Sequence, residues 1–141
     1  MTIYKSEILS VGQKSGIYFD LQMIFHDLNQ RFFNQSIVAS IKWGQDRKSS
    51  LQKKRSIRLG SYHPRSKTIV IHPRLDRALV PSICIERIIF HEMAHQRFPA
   101  KKVKGKTYFH YQEFNDFEKN YPYLKEADLW FKANLPPLLN S

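Results

Sequence analysis

Two prolines, Pro81 and Pro99, bracket a run in which Ile83, Ile85, Ile88, Ile89, Phe90, Met93 and Ala94 crowd together. Proline opens a helix readily and cannot continue one, so this run predicts a helix from Ser82, placed as its cap, to about Arg97. Apolar residues occur on most of its faces, which makes it the expected most-buried helix. A chain of 141 residues builds one core and not two. The rest of the chain must therefore pack around this helix. The expected organisation is one domain over residues 20–135, an N-terminal extension over residues 1–19 and a tail over residues 136–141.

The flanking sequence supplies the partners. Leu21, Ile24, Phe25, Leu28 and Phe32 recur at helical spacing behind Asp20, a natural cap, with Asn34 near the end. Residues 37–43 alternate loosely and suit a strand. Ile57, Leu59 and Ser61, then residues 67–71, flank the turn-prone His63-Pro64-Arg65-Ser66 and predict a β-hairpin that Pro73 ends. Residues 45–55 and 101–106 are polar, basic and without apolar period, so both are expected as loops. Two further helices are expected over residues 108–120 and 123–134, the last stopping before Pro136-Pro137. The class is α+β: an N-terminal helix, a small three-stranded sheet with a hairpin, the buried central helix and C-terminal helices.

The central helix carries His91-Glu92-Met93-Ala94-His95. Residues four apart share a helix face, so both imidazoles can reach one ion, while the glutamate between them projects to the edge of that face. There it can take a proton from water as a general base. With 6 histidines in 141 residues the spelling alone arises by chance in about one shuffled chain in a hundred. Its setting on an apolar helix adds weight, because two unpaired histidines are costly to bury unless something binds them. The bland alternative is a pair of core histidines satisfied by backbone or carboxylate partners. A catalytic zinc needs a third protein ligand. His110 fits best, ahead of Phe114, Phe117 and Tyr121 at helical spacing, with Glu113 and Glu118 as competitors. Oxyanion stabilisers by proximity are Tyr108, Tyr111 and Arg97.

Composition narrows the class. A single cysteine, Cys84, excludes an internal disulfide and a Cys-rich zinc ribbon, and reads as a small core residue. No stretch has the apolar length of a signal peptide or a membrane span, so a cytoplasmic protein with no membrane partner is expected, as a monomer. The formal charge of +11 attracts polyanions, and DNA is an expected partner through Arg47, Lys48, Lys53, Lys54 and Arg55 and through Lys101, Lys102, Lys104 and Lys106.

The ordered set of stretches resembles the SprT-like zinc metallopeptidases, above all their compact bacterial members. It consists of a helix over residues 21–33 closing in Phe32-Phe33-Asn34, then Ile41-Lys42-Trp43-Gly44, Ile57-Arg58-Leu59-Gly60-Ser61-Tyr62 and Ile69-Val70-Ile71-His72-Pro73. Val80-Pro81 then leads into Phe90-His91-Glu92-Met93-Ala94-His95, followed by His110-Tyr111-Gln112-Glu113-Phe114, with Glu118 and Tyr121-Pro122 beyond. The likeness spans residues 20–132. It implies a minimal zincin-like fold, one zinc ion on His91, His95 and His110, Glu92 as the base, and Glu118 as the acceptor that orients a ligand imidazole. Members with known roles cleave DNA-bound proteins in crosslink repair. This chain lacks the cysteine ribbon of the larger members and has Tyr111 where glycine is common.

The expected function is zinc-dependent hydrolysis of peptide bonds in protein substrates, DNA-associated ones included. The alternative is a basic nucleic-acid-binding protein with a structural zinc.

Overall fold

The computed structural model describes residues 17–46 and 58–140. Along the chain lie α1 (Leu21–Phe32), β1 (Ser40–Trp43), β2 (Gly60–His63), β3 (Thr68–Ile71), a 3-10 turn (Pro73–Leu75), α2 (Ser82–Arg97), β4 (Lys101–Val103), β5 (Lys106–Tyr108), α3 (Gln112–Glu118) and α4 (Leu124–Asn140). The class is α+β. Among the described residues no helix is long and apolar enough to cross a membrane.

The helix α2 touches α1, β2, β3, α3 and α4. Its apolar residues explain this position: Cys84, Ile85, Ile89, Phe90, Met93 and Ala94 are fully buried, so every flank needs a covering element. Cys84 packs as the small core residue expected, and burial pushes its thiol up to about 12. Ser82 is the first helical residue and not the cap. Pro81 holds the cap position, where no side chain bonds the first amides.

Asp20 does cap α1, accepting from the Met23 amide at 3.2 Å. The helix closes when Asn34 and Gln35 turn left-handed, with φ of 53° and 59°, and the Gln35 amide returns to the Asn29 carbonyl. The strand expected from residue 37 starts only at Ser40, and Asn29 shows why. Its side-chain amide donates to the Ile37 carbonyl at 2.8 Å and accepts from the Ile37 amide at 3.1 Å, so Ile37 pairs with a helix and not with the sheet.

The three-stranded sheet has the order β1-β3-β2, with β1 parallel to β3 and β2 antiparallel to it. The expected β2–β3 hairpin is present, with Gly60 opposite Ile71 and His63 opposite Thr68. Ile69 and Ile71 of the central strand are buried in the core, and that strand packs against α2. Ahead of α1, the Asp76 carboxylate accepts the successive amides of Ile17, Tyr18 and Phe19 at 2.7, 2.8 and 3.1 Å. Those bonds draw Phe19 into the core before the boundary expected at residue 20.

Three expectations change on the C-terminal side. Residues 101–106 are not a loop: β4 and β5 pair antiparallel around Lys104 and Gly105, whose φ values of 50° and 80° are the left-handed pair that a tight hairpin turn needs. That strand claims Tyr108, so α3 covers only Gln112–Glu118 and His110 precedes it. The last helix runs past Pro136-Pro137 to Asn140. Neither proline has an amide to donate, so that part of the helix holds fewer backbone hydrogen bonds.

Asn29→Ala would leave both backbone groups of Ile37 without partners in a buried place, at a cost of about 2–4 kcal/mol. Urea unfolding at neutral pH measures this. A loss below about half a kcal/mol would show that the Asn29 amide does not fix the entry to β1.

Candidate metal centre

His91 and His95 lie one turn apart on α2, and the chain between β5 and α3 brings His110 to them. Among the described residues this is the one group of at least three potential ligands, its ligand atoms all within 4.8 Å of one another. His95 Nε2 stands 3.2 Å from His91 Nε2 and 3.2 Å from His110 Nε2. A tetrahedral zinc ion with Zn–N bonds of about 2.0–2.1 Å needs nitrogens about 3.3–3.4 Å apart; two of the separations come close to that, and the all-imidazole donor set is compatible with such an ion. Under the cluster lies the buried ring of Phe114, with centroids 5.1 Å from His91, 4.7 Å from His95 and 5.1 Å from His110. One phenyl ring thus supports all three imidazoles, and the short link from β5 to α3 brings the exposed His110 against it.

Glu118, at the end of α3, orients the first histidine. Its Oε2 accepts from His91 Nδ1, which leaves Nε2, the nitrogen that faces His95, without that proton in the neutral ring. The same oxygen accepts from the Arg87 guanidinium at 2.6 Å, and Arg87 reaches Asp128 on α4 at 2.9 Å. Burial alone would raise the Glu118 carboxyl, but the hydrogen bond from His91 and the Arg87 charge outweigh it and hold the group at about 2. Burial, then repulsion from His91 and His110, depresses His95 to about 4; burial and His91 also lower His110. Both imidazoles are therefore neutral at pH 7, the form that binds metal.

Glu92 does not join this carboxylate network. It is buried under β2, where a Cβ on Gly60 would come within 3.2 Å of Glu92 Oε2 and 2.7 Å of Ile88 Cγ2. Only a residue without a side chain lets the strand approach α2 this closely. Burial raises the Glu92 carboxyl above its ordinary value, with His91 and Arg58 opposing. Two cavities of about 190 and 400 Å³ border the cluster, and Glu92, His95, His110 and Arg58 line both.

The structure thus brings His91, His95, His110, Glu92 and Glu118 together. It sets the other candidate third ligand, Glu113, apart: that carboxylate is exposed and paired with Lys101 at 2.8 Å. Tyr108, Tyr111 and Arg97 line neither cavity; Tyr111 donates to the Pro99 carbonyl and Arg97 lies over Phe98. Lys101, Lys102, Lys104 and Lys106 are exposed on the β4–β5 hairpin, whereas Arg47, Lys48, Lys53, Lys54 and Arg55 lie outside the described residues. Arg58 and Arg87 are new here. The place of Arg87 four residues before His91 on one helix was a readable signal, while nothing in the local pattern marks Arg58 or Asp128. No protein-family model, curated protein or solved structure matches this chain.

In the metal-free protein the Glu118 charge stabilises the fold fully above its ordinary 4.5, and the contribution is lost as the pH falls to about 2. Glu118→Gln should therefore lower the urea midpoint at pH 7, with the gap to wild type closing between those two pH values. The same variant should bind zinc about ten- to a hundredfold more weakly. A gap that stays constant down to pH 2 would remove the charge from the account.

Proposed function

We propose that this chain is a zinc-dependent endopeptidase with a zincin-like active site, His91, His95 and His110 holding one zinc ion and Glu92 serving as the general base. The observation that carries this reading is the convergence of three imidazoles on one cavity that a carboxylate, hydrogen-bonded to none of them, also lines. Zinc, when bound, supplies a water of lowered pKa and polarises a carbonyl.

The chain's own residues supply the rest. Glu92 lies beside the first ligand, held there by the close approach of β2, and burial makes its carboxylate a stronger base than a surface glutamate. It takes the proton from the attacking water and returns it to the departing amine. Arg58 lines both cavities, and its positive charge would stabilise the negative charge that the carbonyl oxygen gains. Glu118 keeps His91 in one tautomer and one orientation throughout. The ligand set argues against a nuclease, whose metals usually gather carboxylates.

DNA-associated proteins are the substrate class that the charge favours. The β4–β5 hairpin precedes His110 by two residues, and its exposed lysines would lend positive potential to the approach to the site. This contact to phosphates would be salt-dependent and indifferent to base sequence. The same lysines suit the second reading, a basic nucleic-acid-binding domain whose zinc is structural, and Glu92 separates the two.

Glu92→Gln should retain about one zinc per chain and the wild-type unfolding curve, yet cleave an unfolded protein such as casein about a thousandfold more slowly. Elemental analysis and a cleavage assay, each with and without duplex DNA, read both properties. Zinc in the wild type without any cleavage, or cleavage untouched by the substitution, would overturn the peptidase reading.

A further inference from the structure

The smaller cavity, about 190 Å³, is polar only on the wall formed by Arg58, Glu92 and the histidines. Its other lining is Tyr62, Pro64, Pro99, Ala100 and Phe109. Phe109 is the telling member. It is 53% exposed, an expensive position for a phenyl ring, and it sits edge-on to His95 with centroids 6.5 Å apart. It therefore adds little to the core and builds a wall at the site. Tyr62 is fixed differently: its hydroxyl accepts from Gln96 Nε2 at 2.9 Å, which holds the ring in place. Two proline rings complete a rigid, apolar surface that needs little ordering to receive a guest.

An apolar cavity of about 150 Å³ accommodates a benzene ring, so this one has room for the side chain of leucine, methionine or phenylalanine. We propose that it is the specificity pocket of the site, taking the bulky apolar side chain of a residue next to the peptide bond presented to Glu92. The assignment of a bond to be cut rests on the peptidase reading above; the binding preference does not. Burial of such a side chain corresponds to roughly ten- to a hundredfold in affinity over alanine. An acidic side chain would favour the Arg58 wall instead, so aspartate is the informative competitor.

The full-length protein, titrated with the N-acetyl amides of phenylalanine, leucine, alanine and aspartate, reports the preference through the NMR amide signals of Ala100 and Phe109. The phenylalanine and leucine amides should bind at least tenfold more tightly than the alanine amide. Phe109→Ala should bring all four within about threefold. Phe109→Trp, which narrows the cavity without removing its wall, should weaken the phenylalanine amide more than the leucine amide. Equal affinities in the wild type, or tightest binding of the aspartate amide, would overturn the pocket. The same four residues placed in otherwise identical peptides then test cleavage by the zinc-loaded protein. An apolar preference in binding without any cleavage keeps the pocket and sinks the peptidase reading, and cleavage that ignores the side chain does the reverse.

Discussion

One oxygen of Glu118 receives both the His91 ring and the Arg87 guanidinium, and much of the molecule is arranged so that this can happen. A carboxylate with little exposure costs several kcal/mol unless its lone pairs are matched. Here the matching donors come from α2, the carboxylate from α3, and the second carboxylate of the chain, Asp128, from α4. Three helices are therefore held in register by one ionic chain that ends on a metal-ligand candidate. Tyr121 adds a second tie nearby: its buried hydroxyl donates to Glu86, while its ring packs on Phe90. Any shift of α3 would disturb His91, Arg87 and the Phe114 floor together.

The cluster is apolar below and charged around its rim. Phe114 and the core behind it exclude water from one side of the imidazoles, which is why His95 is strongly depressed by burial. Glu92, raised by burial, and Glu118, held down by its two partners, lie on either side of His91 and are tuned in opposite directions. Two carboxylates of divergent proton affinity beside one imidazole cluster are suited to different tasks, in the proposed peptidase to moving a proton and to orienting a ring.

Much of this was legible in the sequence because strong local signals coincided with tertiary demands. Asp20, the apolar period behind it, the prolines around α2 and the β2–β3 turn each have one good structural solution. His91, Glu92 and His95 were readable from helical spacing; His110 does join the two histidines, but from the link ahead of α3 and not from the helix expected to carry it. The β4–β5 hairpin was hidden because its strands are short and lysine-rich, and because its turn is Lys-Gly, where the commoner signal is Asn-Gly. The late start of β1 was hidden because the Ile37 backbone is satisfied by Asn29, a long-range choice that no alternation pattern records. Arg58 and Asp128 escaped for a related reason: they act across the fold, on partners far away in the chain.

Gln96, next to His95, is bonded at 2.8 Å to both the amide and the carbonyl of Val38, a residue 67% exposed. A glutamine amide offers the same donor and acceptor as a peptide unit, so this side chain fills the place that a strand from another molecule would take. The final turn of α2 therefore closes the backbone just ahead of β1 to pairing with another chain. Fraying of that turn would expose a pair of unsatisfied backbone groups just ahead of β1, and the ability of the protein to stay dispersed at high concentration would decline with the order of the helix that carries its histidines.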